Sequence, residues 1–135
     1  MPLHPYIHFQ GTCAEALAFY AEVFGAPPAK AMRYSEVPGA GFDSQRIIHA
    51  QLEIAGRTLM ASDFPEGVEG DPQKAVTITA TLPSVEEARA RYDALMAGGD
   101  VIHPFGPSFF SEGFGMLRDR FGTHWILMKE SAGLR

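Results

Sequence analysis

Two segments of the chain show the hydrophobic spacing of amphipathic helices. In the first segment, apolar residues recur at intervals of 4, 3 and 4 residues, as expected for one face of an α-helix. That face consists of Cys13, Leu17, Tyr20 and Phe24. Thr12 and Glu15 have the spacing of a capping box, so the pattern predicts a helix that begins after Thr12 and ends at Gly25.

The second helix is predicted to begin at Ser84, which has Glu87 three residues later, and to end at the glycine pair 98–99. Its apolar stripe consists of Val85, Ala88, Tyr92 and Leu95. Four residues of the first helix recur in the second at one constant offset of 72 positions: Thr12, Glu15, Ala16 and Tyr20 match Ser84, Glu87, Ala88 and Tyr92. This repeat indicates that the chain contains two copies of one unit.

Short apolar or alternating runs before and after each helix predict strands. In residues 76–82, apolar residues alternate with three threonines, which is the period-two pattern of a sheet. The predicted strands are residues 5–10, 29–35, 47–54 and 57–63 in the first half, and residues 76–82, 101–105, 114–118 and 124–129 in the second. The pairs 55–56 and 121–122 are predicted to form matching hairpin turns.

The chain therefore consists of two tandem β-α-β-β-β modules. Because short loops join most successive strands, we predict an α+β fold with mostly antiparallel sheets and one helix packed outside each half. The acidic segment 64–74, which contains two prolines and two glycines, is expected to connect the modules. Module 1 is predicted to span residues 1–66 and module 2 residues 74–130, within a single domain of residues 1–135.

Composition excludes several classes of function. The chain has 46% hydrophobic residues, which is typical of a globular protein. Eleven basic residues against sixteen acidic ones give no electrostatic reason to bind nucleic acid or a membrane. One cysteine excludes an intramolecular disulfide framework, and the first residues lack the basic and apolar regions of a signal peptide. We therefore expect a cytoplasmic protein.

Several stretches, in this order along the chain, resemble the vicinal oxygen chelate superfamily of glyoxalase I, bleomycin-resistance proteins and extradiol dioxygenases. They are PYIHFQG (5–11), ALAFY (16–20), HAQLEI (49–54), LMASD (59–63) and FGMLRDRFGTHW (114–125). The resemblance is greatest to the PhnB-like branch, whose members are often named 3-demethylubiquinone-9 3-methyltransferase-like. It implies two modules whose sheets curl around a cavity, and a pairing of modules within a chain or across a homodimer. The chain lacks the glycine-rich strand-to-helix turn of nucleotide-binding folds, so no methyl-donor site is predicted.

Metal-using members of the superfamily place one ligand on the first and last strand of each module. The resemblance puts these four positions at His4, Met60, Thr77 and Ile126. Only His4 is a good ligand for a divalent ion, and shifting any strand by one residue reaches no other ligand. We therefore expect neither a metal ion nor another cofactor.

A small-molecule ligand is expected in the cavity. His8 lies between Ile7 and Phe9; if those two face the helix, His8 faces the cavity, where its imidazole contacts the ligand or transfers a proton. The alternative is a hydrogen-bonded interior histidine. His49 and Gln51 share a polar stripe that lines the cavity or faces solvent. The predicted ligand-binding residues are His4, Tyr6, His8, His49, Gln51, Met60, Phe109, Phe110 and Trp125.

Some of these residues have a second interpretation. Met60 and Trp125 fit a pocket lining or plain core packing. The loop pair Phe109 and Phe110 fits the mouth of the cavity or a dimer contact.

Other polar residues are assigned structural roles. Asp63 and Asp119 are predicted to bond backbone N–H groups near turns, and His103 and His124 are predicted to lie at the surface. Cys13 is expected to be buried and inert. No catalytic residue is predicted.

Three functions remain open at this point. The first is a metal-free PhnB-like protein that binds a small, partly apolar molecule. The second is a metal-dependent lyase, isomerase or dioxygenase that uses His4 as a ligand. The third is a sequestration protein that confers resistance to a toxic compound, as bleomycin-resistance members do.

Overall fold

A computed structural model describes residues 1–130 of the chain. It divides into two compact units, Met1–Pro72 and a second that begins at Gln73. Within residues 1–130, each unit contains one α-helix and one four-stranded mixed sheet, so the predicted α+β class and the two tandem β-α-β-β-β modules are confirmed. In residues 1–130, no helix is both long enough and apolar enough to cross a membrane.

The first unit has its strands in the order β1-β4-β3-β2. β1 pairs with β4 in parallel, and the other two neighbouring pairs are antiparallel. The elements are β1 (Tyr6–Phe9), α1 (Cys13–Phe24), β2 (Lys30–Arg33), a 3₁₀ helix (Tyr34–Glu36), β3 (Ile47–Ile54) and β4 (Arg57–Asp63). Alternate side chains such as Ile7, Leu52 and Leu59 are buried with the apolar face of α1, which forms the core of this unit.

The second unit repeats this order as β5-β8-β7-β6. Its first and last strands, β5 and β8, again pair in parallel. The elements are β5 (Thr77–Leu82), α2 (Val85–Leu95), β6 (Asp100–Gly106), β7 (Phe114–Arg118) and β8 (His124–Lys129). Leu117, Trp125 and Leu127 are buried in its core together with Tyr92 and Leu95 of α2.

The predicted bounds differ from the structure, by one or two residues at an end, in four strands: β1, β2, β5 and β6. Ser35 was expected in a strand but lies in the 3₁₀ helix, because β2 loses its regular register with β3 between Met32 and Arg33. There the backbone N–H of Arg33 donates to the Glu36 carboxylate at 2.8 Å, which favours the turn. Val76 lies just outside β5 and its side chain is exposed.

The two helices begin by different means. Ser84 caps α2 as predicted: its Oγ accepts the backbone N–H of Glu87 at 3.1 Å. The capping box predicted at Thr12 was wrong, because Thr12 has φ −107° and ψ 12° and its side chain makes no capping bond. Instead, Asp63 Oδ1 accepts the backbone N–H groups of Gly11 at 3.0 Å and Cys13 at 2.9 Å.

The two hairpins also differ. Ala55 and Gly56 both have positive φ, 49° and 78°, as a two-residue turn between twisted strands requires. The prediction of a matching turn in the second unit was wrong, because residues 119–123 form a longer loop between β7 and β8. Asp119 holds this loop: its Oδ1 accepts the backbone N–H groups of Phe121 and Thr123 at 2.8 and 3.0 Å.

Candidate functional site

The first sheet has one face packed on α1 and a second face that carries polar and aromatic side chains. Strand register fixes which residues share this second face: Tyr6 is paired with Met60, and Met60 with Gln51 on its other side. We call it the open face; it includes Tyr6, His8, His49, Gln51, Met60 and Ser62. Ile7 and Phe9 are buried and His8 is exposed, so His8 lies on the side of the sheet opposite the core.

A hydrogen-bonded chain crosses the open face. Tyr6 Oη lies 2.9 Å from His49 Nδ1, and His49 Nε2 lies 3.0 Å from Gln51 Oε1. Because Gln51 Oε1 only accepts hydrogen bonds, His49 Nε2 carries the hydrogen and donates it. Nδ1 of the neutral ring is then an acceptor, so the Tyr6 hydroxyl donates to His49. The Tyr6 oxygen keeps lone pairs with which to accept a further hydrogen bond.

Aromatic rings stack along one side of the same face. The His8 ring lies between those of Tyr6 and Phe64, at centroid distances of 4.9 and 5.4 Å and interplanar angles of 28° and 27°. Ser62 Oγ lies 3.2 Å from His8 Nδ1 and fixes the ring orientation. Because Tyr6 is 41% exposed, the stack presents ring surface to solvent. Such a surface suits a flat ligand with polar substituents.

The structure thus brings five of the predicted ligand-binding residues together on one face: Tyr6, His8, His49, Gln51 and Met60. Their role as ligand contacts stays a prediction. Sequence reasoning missed Ser62 and Phe64, which both contact His8. Alternation along β4 could have placed Ser62 beside Met60, but Phe64 follows the strand and carried no such signal.

The other predicted ligand residues lie elsewhere. His4 is exposed and precedes β1. Phe109 is fully exposed in the second unit, where its ring meets Phe110 edge-on at 5.0 Å. Trp125 is 2% exposed in the core of that unit, and its Nε1–H donates to Asp119 Oδ2 at 2.9 Å. This burial agrees with the second interpretation given above for Trp125, which is core packing.

The residues assigned structural roles include two buried carboxylates. Asp63 accepts three backbone N–H groups, from Gly11, Cys13 and Ile47, and Asp119 holds its own loop, so both predictions are confirmed. Burial raises the pKa of the Cys13 thiol to about 12, with a smaller contribution from the charge of Asp63. Cys13 is buried as predicted, and because the thiolate is the reactive form, the raised pKa supports its predicted lack of reactivity.

The histidines of the second unit differ from each other. His103 is exposed as predicted, and its Nδ1 lies 2.9 Å from the backbone oxygen of Pro104. The surface position predicted for His124 was wrong. It is half-buried at the start of the central strand β8, and its Nδ1 is buried without a hydrogen-bond partner among residues 1–130.

The side chains at the four expected ligand positions do not fit a divalent metal ion. Met60 offers a soft thioether, Thr77 a neutral hydroxyl and Ile126 no donor atom at all, whereas catalytic sites use imidazole or carboxylate donors. Within the described residues 1–130, no three His, Cys, Asp or Glu side chains come together as a group that could hold a metal ion.

Comparison with known proteins agrees with this fold. Protein YjdN of Escherichia coli K12 is 31% identical in an alignment of 140 positions that covers 94% of this chain and 94% of that protein. The crystal structure of protein PA1353 from Pseudomonas aeruginosa has 34% identity and a TM-score of 0.89, and covers 96% of this chain and 98% of that one. The PhnB protein from Bacillus cereus, named a putative 3-demethylubiquinone-9 3-methyltransferase, shares the fold at 23% identity and a TM-score of 0.74, over 96% and 100% of the two chains.

Residues 3–127 match the family model of the Glyoxalase/Bleomycin resistance protein/Dioxygenase superfamily. The match covers both β-α-β-β-β units and confirms the resemblance found in the sequence. The chain therefore belongs to the glyoxalase/bleomycin resistance protein/dioxygenase superfamily, and its structural neighbours include a PhnB-like protein.

Proposed function

We propose that this protein binds a small, partly apolar molecule on the open face of its first sheet, and that binding needs no divalent metal ion. One observation carries the proposal: the hydrogen-bonded chain of Tyr6, His49 and Gln51 lies on an exposed sheet face beside stacked rings. Small-molecule sites combine apolar surface with a few convergent polar groups, and this face has both.

The composition of the open face supports a ligand rather than simple solvation. Solvated strand faces are mostly rich in charged residues and threonine, whereas the centre of this face carries a phenol, two imidazoles and the thioether of Met60. The aromatic and thioether groups gain free energy when a ligand covers them. The polar atoms among them would orient the ligand.

The metal-free part of the proposal is supported by the donor set. A catalytic divalent ion needs three or more nitrogen or oxygen ligands, and the positions used for that purpose in metal-dependent relatives are held here by Met60, Thr77 and Ile126 beside a single histidine, His4. We therefore assign recognition of the ligand to the side chains themselves.

Nuclear magnetic resonance titration tests the binding face. Catechol, a short-chain 1,4-benzoquinone and bleomycin serve as probes, because all three carry flat rings with polar substituents. We expect at least one of them to shift the ring signals of Tyr6, His8 and His49 and the methyl signal of Met60. The ring signals of His103, an exposed histidine of the second unit, serve as the control and should not move. If all three probes leave the open face unchanged, the proposed function is wrong.

Thermal unfolding with added metal salts tests the metal-free part. A specific ion at a hundredfold excess over its Kd stabilises the folded state by about 2.7 kcal/mol, which would raise Tm by roughly 8 °C. We expect no such rise with nickel, zinc, manganese or ferrous salts. A saturable rise at one ion per chain would contradict this part and favour the metal-dependent alternative.

Turnover and sequestration begin with the same binding step, and mass analysis of the ligand after incubation separates them. The homodimer and the cytoplasmic location stay predictions from the sequence. Light scattering of the purified chain measures the first, and cell fractionation measures the second.

A further inference from the structure

We infer that Tyr6, His49 and Gln51 form a proton-accepting relay, and that the ligand class is a flat ring with an acidic hydroxyl group, such as a phenol or a hydroxyquinone. This inference rests on the proposed function and names the ligand class for the same site. It follows from the direction of the hydrogen bonds along the chain and from the groups that surround it.

The hydrogen bonds from Tyr6 to His49 and from His49 to Gln51 both donate in the direction away from the ligand, so a proton can pass from the ligand toward His49. Gln51 Oε1 accepts from His49 Nε2 at 3.0 Å, so the lone pair of the neutral imidazole is on Nδ1 and points at Tyr6. A ligand hydroxyl that donates to Tyr6 Oη completes the chain. The ligand proton then moves to Tyr6 Oη as the Tyr6 proton moves to His49 Nδ1. The products are a ligand oxyanion, an unchanged phenol and an imidazolium, so no proton is gained or lost.

The imidazolium formed in this way has a hydrogen-bond partner on each nitrogen. Nε2–H keeps its bond to Gln51 Oε1, and the new Nδ1–H donates to the Tyr6 oxygen, which now donates its hydrogen to the ligand oxyanion. Charge-assisted hydrogen bonds are stronger than neutral ones, so both ends of the relay strengthen when the proton moves. A ligand that has no acidic hydroxyl gains nothing from this change.

The charged neighbours on the face are compatible with a bound anion. Lys30 of β2 is paired with Gln51 in register and lies on the same face. The carboxylate of Glu53, on the same strand as His49, accepts the Thr58 hydroxyl at 2.9 Å. His8, whose Nδ1 lies 3.2 Å from Ser62 Oγ and whose ring stacks on Tyr6, is a second imidazole on this face. Tyr34 also lies close to Tyr6: burial, then the charges of Asp63 and Tyr6, raise the pKa of Tyr34. Lys30 and an imidazolium at His49 therefore add positive charge to the face that holds a ligand oxyanion, and the Glu53 carboxylate at the end of the same stripe adds one negative charge.

Two matched probes test the relay. 4-Nitrophenol has an acidic hydroxyl, and its phenol and phenolate forms absorb at different wavelengths. 4-Nitroanisole has the same ring with a methyl ether in place of the hydroxyl. We expect 4-nitrophenol to bind at least about tenfold more tightly than 4-nitroanisole, and its absorption to shift toward the phenolate on binding at a fixed pH.

Variants separate the relay from simple contact. Tyr6→Phe keeps the exposed ring but removes the hydroxyl, so we expect the preference for 4-nitrophenol and the spectral shift to be lost. Gln51→Glu puts a carboxylate on His49 Nε2–H, which favours the imidazolium, so the bound phenolate fraction should rise. His103→Gln, which replaces an exposed histidine of the second unit, is the control and should change neither readout.

The outcomes distinguish this inference from the proposed function. Equal affinity for the two nitro probes with an unchanged nitrophenol spectrum overturns the relay and leaves the binding face in place. A lower phenolate fraction in Gln51→Glu overturns it as well. If catechol, the quinone, bleomycin and both nitro probes all leave the open face unperturbed, the relay and the proposed function fall together.

Discussion

The two sheets have the same strand order but carry different side chains on the faces that point away from their helices. Tyr6 is paired with Met60 in the first unit as Thr79 is paired with Ile126 in the second. Met60 is also paired with Gln51, as Ile126 is with Met116. The positions of the relay are therefore held in the second unit by Thr79, Phe114 and Met116. One scaffold thus carries a hydrogen-bonded Tyr-His-Gln series in one unit and, at the matching positions, a threonine, a phenylalanine and a methionine in the other.

The same contrast extends to the helix starts. In the second unit, Ser84 caps α2 from within the adjacent sequence. In the first unit, the corresponding bonds come from Asp63 at the end of β4, 50 residues from Cys13. The first unit therefore joins its helix to its sheet through a buried carboxylate, whereas the second unit uses a local bond. This difference shows that duplicated units can keep a fold while replacing the interactions that hold it.

The largest effect is expected from Asp63→Ala. Asp63 is 2% exposed and accepts the backbone N–H groups of Gly11, Cys13 and Ile47, so its removal leaves three donors without their partner. We expect a loss of about 3–5 kcal/mol in the free energy of unfolding, measured with urea. Asp71→Ala, which removes an exposed aspartate of the connecting segment, is the control. A loss below about 1 kcal/mol would show that water replaces these bonds.

The two units also differ at the first residue of their helices, which is Cys13 in α1 and Val85 in α2. The first unit therefore has a buried thiol that can titrate at alkaline pH, and the second has none at this position. Burial, and then the charge of Asp63, raise the pKa of Cys13 from an ordinary 9.0 to about 12, so the folded state binds this proton more tightly than the unfolded chain. The contribution of Cys13 to stability is complete below pH 9 and falls as the pH rises toward 12, by about 1.4 kcal/mol per pH unit.

Urea unfolding across this pH range, compared with Cys13→Ala, measures the effect of the thiol. The variant lacks the titrating group, so its stability should fall less steeply with pH. Equal slopes in the two proteins would contradict the prediction.

An exchange of residues between the two faces tests the contrast directly. His49→Phe gives the first unit the residue that the second unit has as Phe114 and breaks the bonds to Tyr6 and Gln51. We expect about tenfold weaker binding of 4-nitrophenol in calorimetric titration, the effect of losing roughly one charge-assisted hydrogen bond. The reciprocal change Phe114→His should create no binding, because Thr79 stands where the phenol would be needed. New binding in that variant would show that the histidine alone determines the site.

The smallest effect is expected at the helix caps. Ser84→Ala removes a capping bond of 3.1 Å and should lower the free energy of unfolding by about 1 kcal/mol. Thr12→Ala removes a hydroxyl that makes no capping bond and should change it by less than about 0.5 kcal/mol. Urea unfolding of both variants measures the difference. Equal losses would mean that Thr12 caps α1 in solution after all.

The sequence predicts the local parts of the fold well. The apolar periods of 3.6 and 2 residues give both helices and the side of each strand that is buried, since those periods follow from backbone geometry. The repeat at an offset of 72 residues gives the duplication. The prediction of a capping box at Thr12 was wrong because the start of α1 depends on a residue distant in sequence. Thr12 and Glu15 have the same spacing as Ser84 and Glu87, but the carboxylate of Asp63 accepts the backbone N–H groups of Gly11 and Cys13.

The candidate site was predictable residue by residue but not as an arrangement. Alternation along β1 places Tyr6 and His8 on one side of that strand, and alternation along β3 does the same for His49 and Gln51. It does not predict that these two sides belong to the same face of the sheet. Their contact requires β4 to lie between β1 and β3, which joins Tyr6 to a residue 43 positions away. Stacking of Phe64 on His8 depends on the course of the chain after β4, which no local pattern encodes.

The parallel pairing of β1 with β4 fixes when the first sheet is completed during protein synthesis. Residues 6–9 are synthesised before residues 60–63, with which they make their ladder bonds. Their backbone groups are therefore solvated by water until the end of β4 has emerged. Because β4 belongs to the same unit, every strand that pairs within the first sheet is synthesised before β8, so the partners needed to bury Ile7 and Phe9 lie within the first unit.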